Sequence, residues 1–153
     1  RWLVEKAAEL GVTRLVPLIT ERSSVDPGEN RLKKLQQTIV AAAKQSGQTR
    51  LMELAPLQRW DDFLAESCQA DRRMLIADPG GKTLELLSQP DTTAVTSPVI
   101  LLIGPEGGFS PEEVRSAIEQ GAQPVKLSEG ILRIETAAIL FAGLVRLAFN
   151  LPE

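Results

Sequence analysis

"VILLIGPEGGFSPEEVRSAIEQG", residues 99–121, reads as an apolar strand, a tight glycine loop and a capped helix in direct succession. The unbroken apolar run "PVILLI" (98–103) fits a central parallel strand covered on both faces. Ser110, Pro111 and Glu113 open a helix ending near Gln120, with Ser as N-cap, Pro at N1 and Glu at N3 closing a capping box. Gly104, Gly107 and Gly108 allow positive φ and close backbone approach. Glycine loops between a strand and a helix commonly hold phosphate, but Glu106 at the centre of this one would repel it. Two readings stay open: a ligand loop for a molecule carrying hydroxyls or positive charge, or a turn with no ligand. A dinucleotide site is disfavoured, because "GPEGGF" is not G-x-G-x-x-G.

Working outward, the same alternation repeats along the chain. A helix over "LVEKAAEL" (3–10) stops at Gly11, and "TRLVPLI" (13–19) follows as a strand. The polar stretch 20–30 reads as a loop, and Asn30 is placed to cap a helix over 31–46 that ends at Gly47. "RLMEL" (50–54) is a short strand; 57–67 is a helix whose Trp60, Phe63 and Leu64 share one face as core. "RMLIA" (73–77) and "PVKLS" (124–128) are strands, "KTLELLS" (82–88) a short helix, and 135–149 the last helix. The stretch 88–98 reads as a surface connection. Strands alternating with helices predict one α/β domain with a mainly parallel sheet. Between Ala137 and Phe149 only Arg146 is charged, so the last helix needs cover on more than one side, and a second copy of the chain would supply it.

Composition narrows the chemistry. The 153 residues contain no His and no Tyr, which removes mechanisms built on imidazole or phenol. One cysteine, Cys68, leaves no internal disulfide, makes a zinc site improbable and fits a cytoplasmic setting. Acid–base work therefore falls to Asp, Glu, Lys, Arg, a terminus or the substrate. No apolar run reaches the roughly 20 residues of a membrane helix, and no signal peptide opens the chain. The start at Arg1, in mid-pattern, reads as a piece of a longer protein. The net charge of −3 argues against a nucleic-acid partner, yet it is unevenly spread. Residues 1–50 are net basic, with Arg22, Arg31, Lys33, Lys34, Lys44 and Arg50, and the rest is acidic. A solvated helix face explains "RLKKL" equally well.

In an open parallel sheet, ligands sit beyond the C-terminal strand ends. Three loops qualify: "DPGGK" (78–82), "GPEGG" (104–108) and "EGILR" (129–133). "GGKT" (80–83) imitates a phosphate loop, but Ile76 stands where that motif needs glycine, so a turn on Pro79, Gly80 and Gly81 is the simpler reading. In the third loop Arg133 and Glu135 flank a helix start. Glu135 there is also explained by the helix dipole, whereas a buried Arg133 between apolar neighbours would need partners.

"IGPEGGFS", the capped helix after it and "ILRIETA" (131–137) together closely resemble the RsmE family, the small-subunit rRNA uridine-N3 methyltransferases of the SPOUT class. "EKAAELGV" (5–12), "VPLITERS" (16–23) and "AAAKQSGQ" (41–48) match the same running pattern, so the resemblance covers nearly the whole chain. It implies an α/β SPOUT domain over 1–153, with a mainly parallel sheet flanked by helices and a C-terminal deep trefoil knot. Sequence physics alone would not propose a knot. It further implies a homodimer, S-adenosylmethionine as methyl donor with no metal, small-subunit ribosomal RNA as partner, no membrane, and an N-terminal PUA-like RNA-binding domain that this chain lacks.

Carried over by position, the donor pocket would use Ile76, Ala77, Ile103, Gly104, Pro105, Glu106, Gly107, Gly108, Leu127, Ser128, Ile131, Leu132 and Arg133. The catalytic residues would be Arg22, holding the target nucleotide or its phosphate, Arg133, stabilising charge on the uracil oxygens, and Glu135, as base or orienter. The chain departs from the family's usual Leu-Gly-x-Arg-Ile-Leu-Arg at Ser128 and Gly130. It also has Lys44 in place of glutamate and Gln48 in place of arginine. Rival readings are methylation of another RNA site or a ribose 2′-OH, and a nucleotide-binding or dimerisation module without chemistry.

Overall fold

The computed structural model describes residues 1–23, 28–68, 72–83 and 98–148. Within them lie five helices: α1 (Trp2–Glu9), α2 (Gly28–Ser46), α3 (Trp60–Ser67), α4 (Pro111–Glu119) and α5 (Ile134–Ala148). Seven strands alternate with these: β1 (Arg14–Leu15), β2 (Leu18–Ile19), β3 (Glu53–Leu54), β4 (Gln58–Arg59), β5 (Arg73–Lys82), β6 (Val99–Leu102) and β7 (Gln123–Val125). All four strand pairings are parallel, as expected of a βα alternation.

The pairings divide among three small sheets, β1–β3, β2–β4 and β6–β5–β7. The expected strand over 13–19 is two strands, because Pro17 lacks the N–H that would continue the ladder. Pro56 interrupts the partner segment at the same level, between β3 and β4. The Pro17 carbonyl still accepts from the Gln58 N–H at 3.0 Å, so the two short pairings stay in step. In the three-stranded sheet β5 is central and β6 is an edge, which corrects the central place expected for "PVILLI". Its faces are nonetheless both used: Ile100 packs with one cluster, Val99, Leu101 and Ile103 with another.

That division follows the period of two along a strand. Met74, Ile76 and Leu102 face Trp60, Phe63, Leu64, Phe109 and Ala117 of the α3–α4 side. Leu75 and Val125 face Phe141 and Val145 of α5. Phe141 is fully buried, and burying such a side chain contributes about 1.5–3 kcal/mol. A third cluster joins α1 to α2 through Val4, Ala8, Ile39 and Ala42.

Further expectations are adjusted. Helix α2 begins at Gly28, so Asn30 lies in its first turn and is not the cap. "DPGGK" belongs to β5 and does not form a separate loop. Both Ala77 and Lys82 pair with Val125, so 78–81 bulge from the ladder while the Gly80 N–H donates to Asp78 Oδ2 at 2.9 Å. Lys82 is therefore strand, and the rest of the expected helix over 82–88, with the connection 88–98, lies almost wholly outside the described residues. No described helix is long and apolar enough to cross a membrane.

Candidate active site at the strand ends

The GPEGG loop folds back on itself. The Gly108 N–H donates to the Pro105 carbonyl at 2.8 Å, and a Cβ on Gly104 would stand 2.9 Å from the Phe109 nitrogen. Of the three glycines expected to use positive φ, only Gly108 does so. Gly107 lies instead against the aliphatic stem of Arg22. Glu106 is exposed at the turn.

The helix start after this loop explains why a phosphate does not belong there. The Ser110 side chain accepts from the Glu113 N–H at 3.3 Å, and Glu113 Oε2 accepts from the Ser110 N–H at 2.8 Å. The other carboxylate oxygen, Oε1, accepts from the Glu21 N–H at 2.7 Å. A buried carboxylate thus already occupies the anion position that a helix N-terminus offers. The capping box was legible in the sequence; the bond to Glu21 was not, since nothing local links positions 92 residues apart.

Arg22 stands on this same loop. Its Nη1 donates to the Gly107 carbonyl at 2.7 Å and more weakly to that of Phe109 at 3.4 Å. With Asp78, Phe109, Val114 and Ile118 it lines an open groove of about 500 Å³ along α4. Trp60 supports α4 from behind: its ring centroid lies 4.8 Å from that of Phe109, and its Nε1–H donates to Ser116 Oγ at 3.0 Å.

The expected donor-pocket residues separate by role. Ala77, in β5 just before its bulge, and Ile103 and Leu127, just past β6 and β7, gather half-buried on the Phe141 cluster. Ile76 is fully buried on the opposite sheet face, so only its backbone is available to a ligand. Beyond Leu127 the third loop opens outward: Ile131 is 96% exposed, Arg133 is exposed and Leu132 half-buried. The Ser128 hydroxyl donates to the Gly130 carbonyl within this loop. Arg133 is therefore not the buried guanidinium its apolar neighbours suggested. Its carbonyl accepts from the Ala137 N–H at 2.9 Å and so starts α5, with half-buried Glu135 in the first turn.

A ligand spanning these loops would meet an apolar floor of strand-end side chains, backbone polar groups and an exposed carboxylate. Those features suit an aromatic base with a cationic, hydroxylated tail, and the close Gly104 approach leaves no room for a side chain inside the loop. Residues 127–133 make no hydrogen bond or ion pair to 104–108 among the described residues; Leu127 and Ile103, the residue before the GPEGG loop, share the Phe141 cluster. No group of three or more His, Cys, Asp or Glu among the described residues is placed to hold a metal.

A family model for the RNA methyltransferase domain matches residues 1–146. The chain belongs to the RsmE-type RNA methyltransferase family. Similar family members include ribosomal RNA small subunit methyltransferase E of Aquifex aeolicus, 32% identical over 94% of this chain and 60% of that protein. The Synechocystis protein of the same name is 30% identical over 88% of this chain and 45% of its own length. Among solved structures, a putative methyltransferase of Legionella pneumophila in complex with S-adenosylmethionine superposes with a TM-score of 0.84 at 35% identity, covering 95% of this chain and 60% of that one. The Neisseria gonorrhoeae methyltransferase E bound to S-adenosylmethionine gives 0.85 at 28% identity, covering 97% and 60%. This chain thus spans about half to three-fifths of the length of these family members.

Within "AAAKQSGQ" (41–48), Gln48 has a structural duty. Its Nε2 donates to the Ala8 and Glu9 carbonyls at 2.7 and 3.2 Å, closing the end of α1.

Proposed function

We propose that this chain is the S-adenosylmethionine-binding, catalytic portion of an enzyme that methylates N3 of a uridine in small-subunit ribosomal RNA. One observation carries the reading: in a member of this family, Ala77 of β5, with Ile103 and Leu127 just past β6 and β7, lies on one apolar cluster beside the GPEGG loop. The donor's adenosine would rest on that floor, with backbone of 104–108 and 127–133 around it, and the C-terminal segment would thread as a SPOUT trefoil knot.

When bound, S-adenosylmethionine supplies the methyl group on a sulfonium. The remaining duties fall to side chains. Glu135 takes the N3 proton or orients the uracil edge, and Arg133 donates to the uracil oxygens as negative charge grows there. Arg22, whose Nη1 is committed to the loop, offers its other nitrogens to the nucleotide or its phosphate. Positioning these groups supplies most of the rate. The basic first third of the chain, including exposed Lys33, Lys34 and Lys44 on α2, fits an RNA partner and cytoplasmic work.

A homodimer completes this reading. Helix α5 buries Ala137, Phe141 and Val145 on one stripe, while Leu147 is 82% exposed. The deciding experiment is methylation of small ribosomal subunits by the full-length protein, followed by mapping of the modified atom. Transfer to uridine N3 supports the proposal; transfer to a ribose 2′-OH, or to no RNA at all, overturns it.

A further inference from the structure

Glu113 does more than start a helix. Its carboxylate is buried at 7% exposure and accepts from two backbone N–H groups that belong to distant segments, Ser110 at 2.8 Å and Glu21 at 2.7 Å. The segment it grips is a turn braced internally: the Thr20 N–H donates to Ser23 Oγ at 2.9 Å, the two hydroxyls lie 2.8 Å apart, and the Ser23 N–H donates to the Thr20 carbonyl at 3.1 Å. Arg22 projects from that turn and reaches back to the Gly107 and Phe109 carbonyls. The result is a closed circuit running from Glu113 through Glu21 and Arg22 to the GPEGG loop and back through Ser110.

We propose that Glu113 is a positioning residue, whose two-handed carboxylate fixes the 20–23 turn and thereby sets Arg22 on the GPEGG loop. The chemistry requires an acid. A capping box asks only one carboxylate oxygen to accept, so the second is spare for Glu21. Glutamine has one acceptor oxygen, and its amide nitrogen would face an N–H donor, so it cannot hold both groups. An uncharged acceptor also makes the weaker bond. Arg22 is exposed and makes no ion pair among the described residues, so its place depends on the backbone that carries it.

The role in turnover rests on the methyltransferase reading; the clamp itself does not, and two readouts keep them apart. In the first, amide hydrogen exchange is followed at Glu21 and Ser110, with trypsin cleavage after Arg22 as a second probe. Glu113→Ala should accelerate exchange at Glu21 by about tenfold or more and speed the cut after Arg22. Glu113→Gln should release at least one of the two amides. Ser110→Ala, which removes the cap acceptor but leaves the Glu21 bond, should keep Glu21 exchange within about twofold of the parent. Unchanged Glu21 exchange in Glu113→Ala, or equal release by Ser110→Ala, overturns the clamp.

In the second readout, the full-length Glu113→Gln protein should show a KM for ribosomal subunits raised about tenfold and an S-adenosylmethionine Kd within about twofold. Adding Arg22→Ala should lower kcat/KM little further, since both changes break one circuit. Loss of donor affinity with an unchanged KM for RNA, or full additivity, would overturn the action through Arg22. A parent protein that transfers no methyl group to RNA overturns the methyltransferase reading instead, and the exchange result still decides the clamp.

Discussion

Arg146 Nη1 donates to the carbonyl of Leu10 at 3.1 Å, tying the only basic residue of α5 to the end of α1. The C-terminal carbonyls of a helix lack intrahelical partners and carry partial negative charge, so a guanidinium there is well placed. The neighbouring Gly11 has φ +78°, and a Cβ on it would stand 2.2 Å from Arg146 Nη1. Its left-handed backbone is what favours glycine there, since the tip of the arginine could shift aside. Part of the cover expected for the apolar last helix comes from the first helix of the same chain.

Arg146→Ala should cost about 1.5–3 kcal/mol, the range for a hydrogen bond to a charged group. Urea unfolding measures it. Arg146→Lys should recover part of the loss, because an ammonium can still donate to Leu10. A change below about 0.5 kcal/mol would show that the contact adds nothing to stability.

Gly104→Ala tests the loop. Its Cβ would press on the Phe109 nitrogen and the Gly108 carbonyl carbon, at 2.9 and 3.0 Å, and both are backbone. The loop must open, at about 1–3 kcal/mol, and calorimetry should find S-adenosylmethionine affinity reduced by about tenfold or more. Parent-like affinity would place the donor elsewhere.

For the chemistry, Glu135→Gln should slow methyl transfer by about 10²–10⁴-fold, the usual worth of a positioned base. Arg133→Ala should slow it by a similar order through lost charge stabilisation. Single-turnover rates at saturating donor and RNA give the measurement. Rates within about twofold of the parent in both variants would sink these two assignments.

Helix α5 and the third loop carry the assembly prediction. Ile131 and Leu147 are 96% and 82% exposed, unusual for such side chains unless another surface covers them. Ile131→Asp and Leu147→Asp should shift sedimentation from dimer toward monomer, with little change in the secondary structure seen by circular dichroism. Monomeric parent protein would remove the dimer from the proposal.

The 153-residue chain by itself should bind S-adenosylmethionine without efficient turnover on ribosomal subunits. Calorimetry against S-adenosylmethionine, NAD and ATP, beside a methylation assay, separates the two properties. Robust methylation by this chain alone would show that no further RNA-binding domain is needed.

What the sequence determined here is local or periodic. The capping box at Ser110 and Glu113, the helix stop at Gly11, and the buried faces of Trp60, Phe63 and Leu64 each follow from spacing of a few residues. The paired motifs "IGPEGGFS" and "ILRIETA" marked the family, because together they are specific where each alone is only a turn or a helix start. Tertiary structure decided what depends on distant partners. Pro17 and Pro56 divide the expected strand over 13–19 and the segment it pairs with into two short pairings, and β6 lies at an edge although its composition suits a centre. Arg133 proves exposed because it stands in a loop that leaves the core, where Ile131 is exposed as well. Glu113 reaches Glu21 across 92 positions, and Arg22 rests on the glycine loop of its own chain. No local pattern encodes such contacts: a carboxylate with one satisfied oxygen looks the same in sequence whether or not the fold brings it a second donor.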